Sequence, residues 1–202
     1  MVSAPVAGVA AVGDPRSAPG SRLAPLVEAI RAAVRETASA AERADAVAAR
    51  LRPFLDHPDL LTPDQRRGDP ENYRQHLLHV EPDGSFSVVS LVWHPGQSTS
   101  IHDHIAWCVT GVYEGEEHES RYRIARTDGD GELLALDEEI VNPRGQVSGI
   151  APPGDIHRVS NSGDRTAISI HVYGADISRL GTSIQRVYRD PRPASAGIPR
   201  DI

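Results

Sequence analysis

From Leu23 onward, Leu26, Ile30 and Val34 recur at helical spacing, and an Ala-rich segment from Ala40 to Leu51 places Ala44, Val47, Ala48 and Leu51 on one face. The spacing predicts two helices, ended by Pro53 and the loop 57-HPDLLTPDQRRGDPEN-72. After Tyr73 the period shortens. Short stretches rich in Val, Ile, Tyr and Thr are separated by Gly, Pro, Asn and Asp, which predicts strands near 74–81, 85–93, 105–113, 118–126, 133–141, 146–150, 156–160, 166–173 and 184–189. Helices followed by many short strands predict a mainly β domain over residues 21–190, a small antiparallel barrel or jelly roll with the N-terminal helices packed outside it. Residues 1–20, rich in Ala, Pro, Gly and Ser without periodicity, read as a flexible leader, and the Pro-rich residues 191–202 as a tail.

Composition narrows the function classes. A chain of 202 residues, 39% hydrophobic and 24% charged, fits one soluble core. With 28 acidic against 21 basic residues and a net charge of −7, it lacks the clustered cations that bind nucleic acid or an anionic membrane. The single Cys precludes an intramolecular disulfide, so a reducing cytoplasm is the expected setting. The N-terminal MVSAPVAGVAAVGDP lacks the basic start and long apolar run of a secretory signal, and no stretch reaches the ~18 apolar residues of a membrane span. A monomer or small homo-oligomer is expected.

Candidate chemistry begins in 101-IHDHIAWC-108. On a strand, His102 and His104 face the same side and Asp103 points outward from the barrel. With Gly96 six positions before His102, 96-GQSTSIHDH-104 resembles the first cupin motif, and 152-PPGDIHRVSN-161 resembles the second, with His157 on the strand after a Pro-Gly turn. His102, His104 and His157 form a candidate metal set; imidazole ligation alone permits iron, zinc, copper or nickel. Where many cupins carry a Glu as a fourth ligand, this chain has Ala106, Trp107, Cys108 and Val109. Three neutral imidazoles leave a divalent ion cationic, with open positions that suit an anionic substrate. His57, His76, His79, His94 and His118 have no such context and are read as structural.

Further on, Ser169, His171 and Tyr173 alternate with Ile170 and Val172, so the three polar groups share one strand face, either a solvated face or a hydrogen-bonded relay. Together, SVVSLVWHPGQSTSIHDH, GDIHRVSN and AISIHVYGAD resemble the thiol dioxygenases, the family of cysteine dioxygenase and 3-mercaptopropionate dioxygenase, over about Tyr73 to Ile177. The resemblance implies a cupin barrel and Fe(II) held by His102, His104 and His157. It also implies oxidation of a small thiol by O₂ to a sulfinic acid, with Tyr173 hydrogen-bonded to oxygen or to the substrate carboxylate and oriented by His171 and Ser169. Some relatives carry, where Cys108 stands, a Cys crosslinked to the catalytic Tyr, which makes a Cys108–Tyr173 thioether a candidate beside a plain buried thiol. The resemblance aligns Gln75 with the Arg that clamps the substrate carboxylate in animal-type relatives and turns Arg74 to the other face. For a second carboxylate anchor, Arg179 and Arg186 are the candidates, although neither matches the family spacing. The expected substrates are 3-mercaptopropionate-like mercapto acids or L-cysteine. Two alternatives stand beside this: a three-His cupin with other chemistry, which leaves the Ser-His-Tyr alternation unexplained, and a non-catalytic cupin that binds a metal or small ligand as a sensor.

Overall fold

The computed structural model describes residues 23–128 and 131–191; the expected leader, residues 1–20, and all of the expected tail except Pro191 lie outside them. Two helices come first, α1 (Leu23–Glu36) and α2 (Ala40–Leu51). Ser39 starts α2 with a capping box, its hydroxyl accepting from the Glu42 N–H while the Glu42 carboxylate accepts from the Ser39 N–H. Pro53 follows the end of α2 at Leu51, as expected. It sits at the start of a 3-10 turn, Arg52–Phe54, where the missing N–H has no partner to lose.

Ten strands follow: β1 (Arg74–Val80), β2 (Ser87–Trp93), β3 (His102–His104), β4 (Cys108–Glu114), β5 (Glu116–Asp128), β6 (Gly131–Pro143), β7 (Val147–Ile150), β8 (His157–Ser160), β9 (Ala167–Tyr173) and β10 (Ile184–Val187). They form two five-stranded antiparallel sheets, β1-β2-β9-β4-β7 and β10-β3-β8-β5-β6. This is the mainly β, double-sheet cupin architecture with helices outside that the sequence predicts. No helix among the described residues is long and apolar enough to cross a membrane.

The first sheet is buried on both faces, and the strand period shows why. On β9, Ile168, Ile170 and Val172 join Leu26, Ile30, Val47 and Leu51 in a core beneath the helices. The alternate residues Ala167 and Tyr173 pack in a second cluster with Val89, Leu91 and Trp93, and Ser169 and His171 are buried between them in sequence. The Ser-His-Tyr face is therefore interior, not solvated.

Three expectations need correction. The strand expected near 105–113 begins only at Cys108, as β4; His102–His104 form a separate strand, β3, in the other sheet, and the chain bends at residues 105–107 to cross between them. A four-residue helix, α3 (Ile177–Leu180), was not expected; Asp176 caps it and Gly181 ends it at φ +77°. Asp103 faces away from the histidines but is not exposed. Strand β10 covers it, and Arg186 (Nε 2.8 Å, Nη2 2.6 Å) and the Tyr188 hydroxyl (2.9 Å) donate to its Oδ2.

Candidate active site

The two-residue period of β3 and its pairing with β8 assemble the histidines. His102 and His157 are register partners, and the possible ligand atoms of His102, His104 and His157 all lie within 4.8 Å of one another. All three residues are buried. Each ring also has a partner for its outward nitrogen: His102 Nδ1 is 2.9 Å from the Ser100 carbonyl, His104 Nδ1 3.0 Å from Asp155 Oδ2, and His157 Nδ1 2.9 Å from Glu119 Oε1. An acceptor at each Nδ1 holds the proton there and leaves each Nε2 lone pair for the common centre.

Electrostatics point the same way. Burial and the neighbouring His157 and His104 push the His102 pKa well below its ordinary value, and burial lowers that of His104 against the opposing pull of Asp155. Neutral imidazoles are what metal ligation requires. Burial works against the charge of Glu119, yet the hydrogen bond from His157 and the Arg121 guanidinium outweigh it and hold the carboxyl down at about 2. Arg121 Nε donates to Glu119 Oε1 at 3.1 Å and Nη2 to Oε2 at 3.2 Å, so the guanidinium braces both carboxylate oxygens. A buried three-nitrogen set with every second nitrogen tied to an acceptor fits a divalent metal ion.

On β9 the face Ser169–His171–Tyr173 forms a continuous chain. Ser169 Oγ is 2.9 Å from His171 Nε2, and the Tyr173 hydroxyl is 3.2 Å from His171 Nδ1. Trp93 Nε1–H donates to Ser169 Oγ at 3.2 Å, and Thr110 Oγ1 lies 3.3 Å from His171 Nδ1. Burial, with the charges of His157 and His104, lowers His171 to about 3, so it is neutral at working pH. Burial and the nearby Cys108 push Tyr173 well up, with Ser183 opposing, which keeps its phenol protonated. Cys108 and Tyr173 are register partners across β4 and β9. The Cys108 thiol is 4.0 Å from His171 Nδ1, and burial pushes its pKa up.

A cavity opens over these groups, and its walls include the three histidines, Tyr173, Gln75 and Ser183. Gln75 is thus on the cavity wall. Arg74 and Arg179 do not line this cavity; Arg179 sits exposed on α3, and Arg186 is engaged with Asp103 behind β3. Among the described residues, the wall contains no Lys or Arg.

Sequence reading missed Glu119, Asp155, Thr110 and Ser183. Asp155 lies inside the second motif, two residues before His157, and could have been singled out there. Glu119 carried no local signal, because its partner is 38 residues away and meets it through the pairing of β5 with β8.

The fold and the site define a cupin with a buried three-histidine cluster that could hold a metal ion and an adjoining Ser-His-Tyr chain. The chain matches the family described as cysteine dioxygenase type I over residues 12–182, and it belongs to that family. Among solved structures it is similar to a double-stranded β-helix domain protein from Klebsiella pneumoniae, with 20% identity, 64% of this chain and 96% of that one covered, and a TM-score of 0.43. It is also similar to a Cupin 2 conserved barrel domain protein from Salinispora arenicola, with 22% identity, 59% and 91% covered, and a TM-score of 0.40.

Proposed function

We propose that the protein is an Fe(II)-dependent thiol dioxygenase that converts a small thiol and O₂ into a sulfinic acid, RSH + O₂ → RSO₂H, with a 3-mercaptopropionate-like mercapto acid or L-cysteine as substrate. The observation that carries this reading is the placement of the Ser169–His171–Tyr173 chain on the wall of the cavity that the three histidines also line. His102, His104 and His157 would hold the iron through Nε2. Iron so bound supplies adjacent open positions for a thiolate and O₂ and the redox chemistry that joins them. Glu119, Asp155 and the Ser100 carbonyl keep the ligand nitrogens unprotonated and aimed.

Tyr173 stays a phenol at working pH and donates a hydrogen bond to substrate or oxygen, while His171 and Ser169 set the direction of its hydroxyl. Gln75 and Ser183 offer neutral donors to the substrate's polar end, a weaker hold on a carboxylate than an Arg fork. The single free thiol, Cys108, suits a reducing cytoplasm. Cys108 and Tyr173 face each other across two strands, as a thioether between them requires. A polypeptide two hydrogens lighter after turnover would report that link, and an unchanged mass would leave Cys108 as apolar packing.

The deciding experiment is anaerobic Fe(II) loading, then O₂ uptake and product mass with L-cysteine, 3-mercaptopropionate, cysteamine and mercaptosuccinate, beside His157→Ala. The expected result is a product two oxygen atoms heavier than one of these thiols, lost in the variant. Full iron occupancy with no thiol oxidised would overturn the reading.

A further inference from the structure

Glu117 is a buried acid for which the proposed reaction has no use. It stands on β5, 1% exposed, and its Oε1 has no hydrogen-bond partner. Its carboxyl stands beside the Ser169 hydroxyl and the Trp93 indole, behind the Ser-His-Tyr chain and on the side away from Tyr173. Ser169 thus has three neighbours. A hydroxyl has one hydrogen to donate and two lone pairs to accept with, and the Trp93 N–H, which can only donate, takes one lone pair at 3.2 Å. Ser169 has one hydrogen to give, and Glu117 and His171 are the two acceptors within its surroundings.

We propose that Glu117 is the inner end of the Tyr173–His171–Ser169 chain, and that its protonation decides whether Tyr173 donates or accepts a hydrogen bond in the cavity. This rests on the proposed function only for its use in catalysis; the coupling is a property of the fold. With Glu117 ionised, Ser169 donates to it, His171 Nε2–H donates to Ser169, and the Tyr173 O–H is spent on His171 Nδ1. With Glu117 protonated, each bond reverses: Glu117 donates to Ser169, Ser169 to Nε2, and Nδ1–H to the Tyr173 oxygen, which frees the Tyr173 proton for the cavity. One proton balances the change. Tyr173 takes it from the cavity, and a proton hops at each link until Glu117 is neutral. Thr110 can support either direction at Nδ1 because its hydroxyl rotates.

Burial pushes the Glu117 pKa up to about 7, with Ser169 and Trp93 opposing and the charge of Glu119 reinforcing. The groups that face Glu117 are Glu119 on its own strand, His157 from β8 across a shared internal cavity, and Ser169 from β9, with Tyr173 and Cys108 sensing its charge. Trp93 from β2, Thr110 from β4 and Asn142 from β6 are uncharged. It is Glu119, not Glu117, that hydrogen-bonds to His157.

The test reads the tautomer of His171 by ¹⁵N NMR in the full chain loaded with zinc(II), which is diamagnetic and needs no thiol oxidation; metal content is measured separately. From about pH 5 to about pH 9, wild type is expected to pass from Nδ1–H to Nε2–H, Glu117→Asp to do the same, and Glu117→Gln to keep one form throughout. Should Glu117→Gln fail to fold, Ser169→Ala serves, since it cuts the link and is expected to abolish the pH response. A wild-type His171 that keeps one tautomer, or a response that survives either substitution, overturns the proposal. In the iron-loaded enzyme, wild-type kcat/KM is expected to fall about tenfold per pH unit on the alkaline side, and Glu117→Gln to lose that limb. If no thiol is oxidised but the tautomer follows Glu117, the proposed reaction fails and the coupling stands.

Discussion

An imidazole on a strand can rotate, and what stops it here is the acceptor behind each ring. Replacing Glu119 by Gln leaves His157 with a neutral partner and breaks the charge contact with Arg121, so metal affinity is expected to fall about 10–100-fold in an anaerobic Fe(II) or Zn(II) titration. Gln75 is the polar side chain expected to meet a carboxylate, and losing one hydrogen bond to a charged group costs ~1.5–3 kcal/mol, so Gln75→Ala is expected to raise KM roughly tenfold or more with a smaller change in kcat. Steady-state O₂ uptake would show this, and an unchanged KM would place the carboxylate elsewhere. Part of the candidate site was legible because alternate residues on a strand share a face, so His102 and His104, or Ser169, His171 and Tyr173, carry their geometry in their spacing. Glu119, the acceptor behind His157, was not, because its meeting with that ring depends on strand register.

Helix α2 rests directly on the outer face of the first sheet, and two small residues permit it. A Cβ at Gly111 on β4 would come 2.8 Å from Leu51 Cδ2 and 3.0 Å from Leu55 Cδ1, and one at Gly149 on β7 would come 3.1 Å from the Ala44 carbonyl oxygen. Overpacking of this kind costs ~1–3 kcal/mol, so Gly111→Val is expected to lower Tm by several degrees in a thermal melt. Metal affinity is expected to be unchanged, because β4 turns its other face to the site. Both helices were readable from their 3.6-residue period, while the capping box of Ser39 and Glu42 that starts α2 emerged in the structure. The crossing at residues 105–107 was not readable, because an apolar run looks the same whether it continues in one sheet or passes to the other.

The barrel interior holds an acid that it disfavours in charged form, and the stability of the whole molecule should show it. The folded pKa of Glu117 is raised to about 7 from an ordinary 4.5, so between these values the native state binds more protons than the unfolded chain. This contribution to stability is full below about pH 4.5 and is lost as pH rises through about 7, a change of ~3 kcal/mol for one group. Glu117→Gln is expected to remove that loss, so its denaturation midpoint relative to wild type should improve between pH 5 and pH 8; equal midpoint differences at both would show that Glu117 does not titrate in the fold. Spacing and period were enough for the β-rich class, the helical cover, and the shared faces of His102 with His104 and of Ser169, His171 and Tyr173, because each is written within a single segment; adding His157 and reading the Ser-His-Tyr face as a relay took the resemblance to known motifs. Tertiary pairing was needed to bring Glu119 behind His157, Glu117 behind Ser169 and Cys108 opposite Tyr173, and to leave Arg74 and Arg179 away from the cavity. Those relations join strands distant in the chain, and their register follows from the packing of the two sheets as a whole.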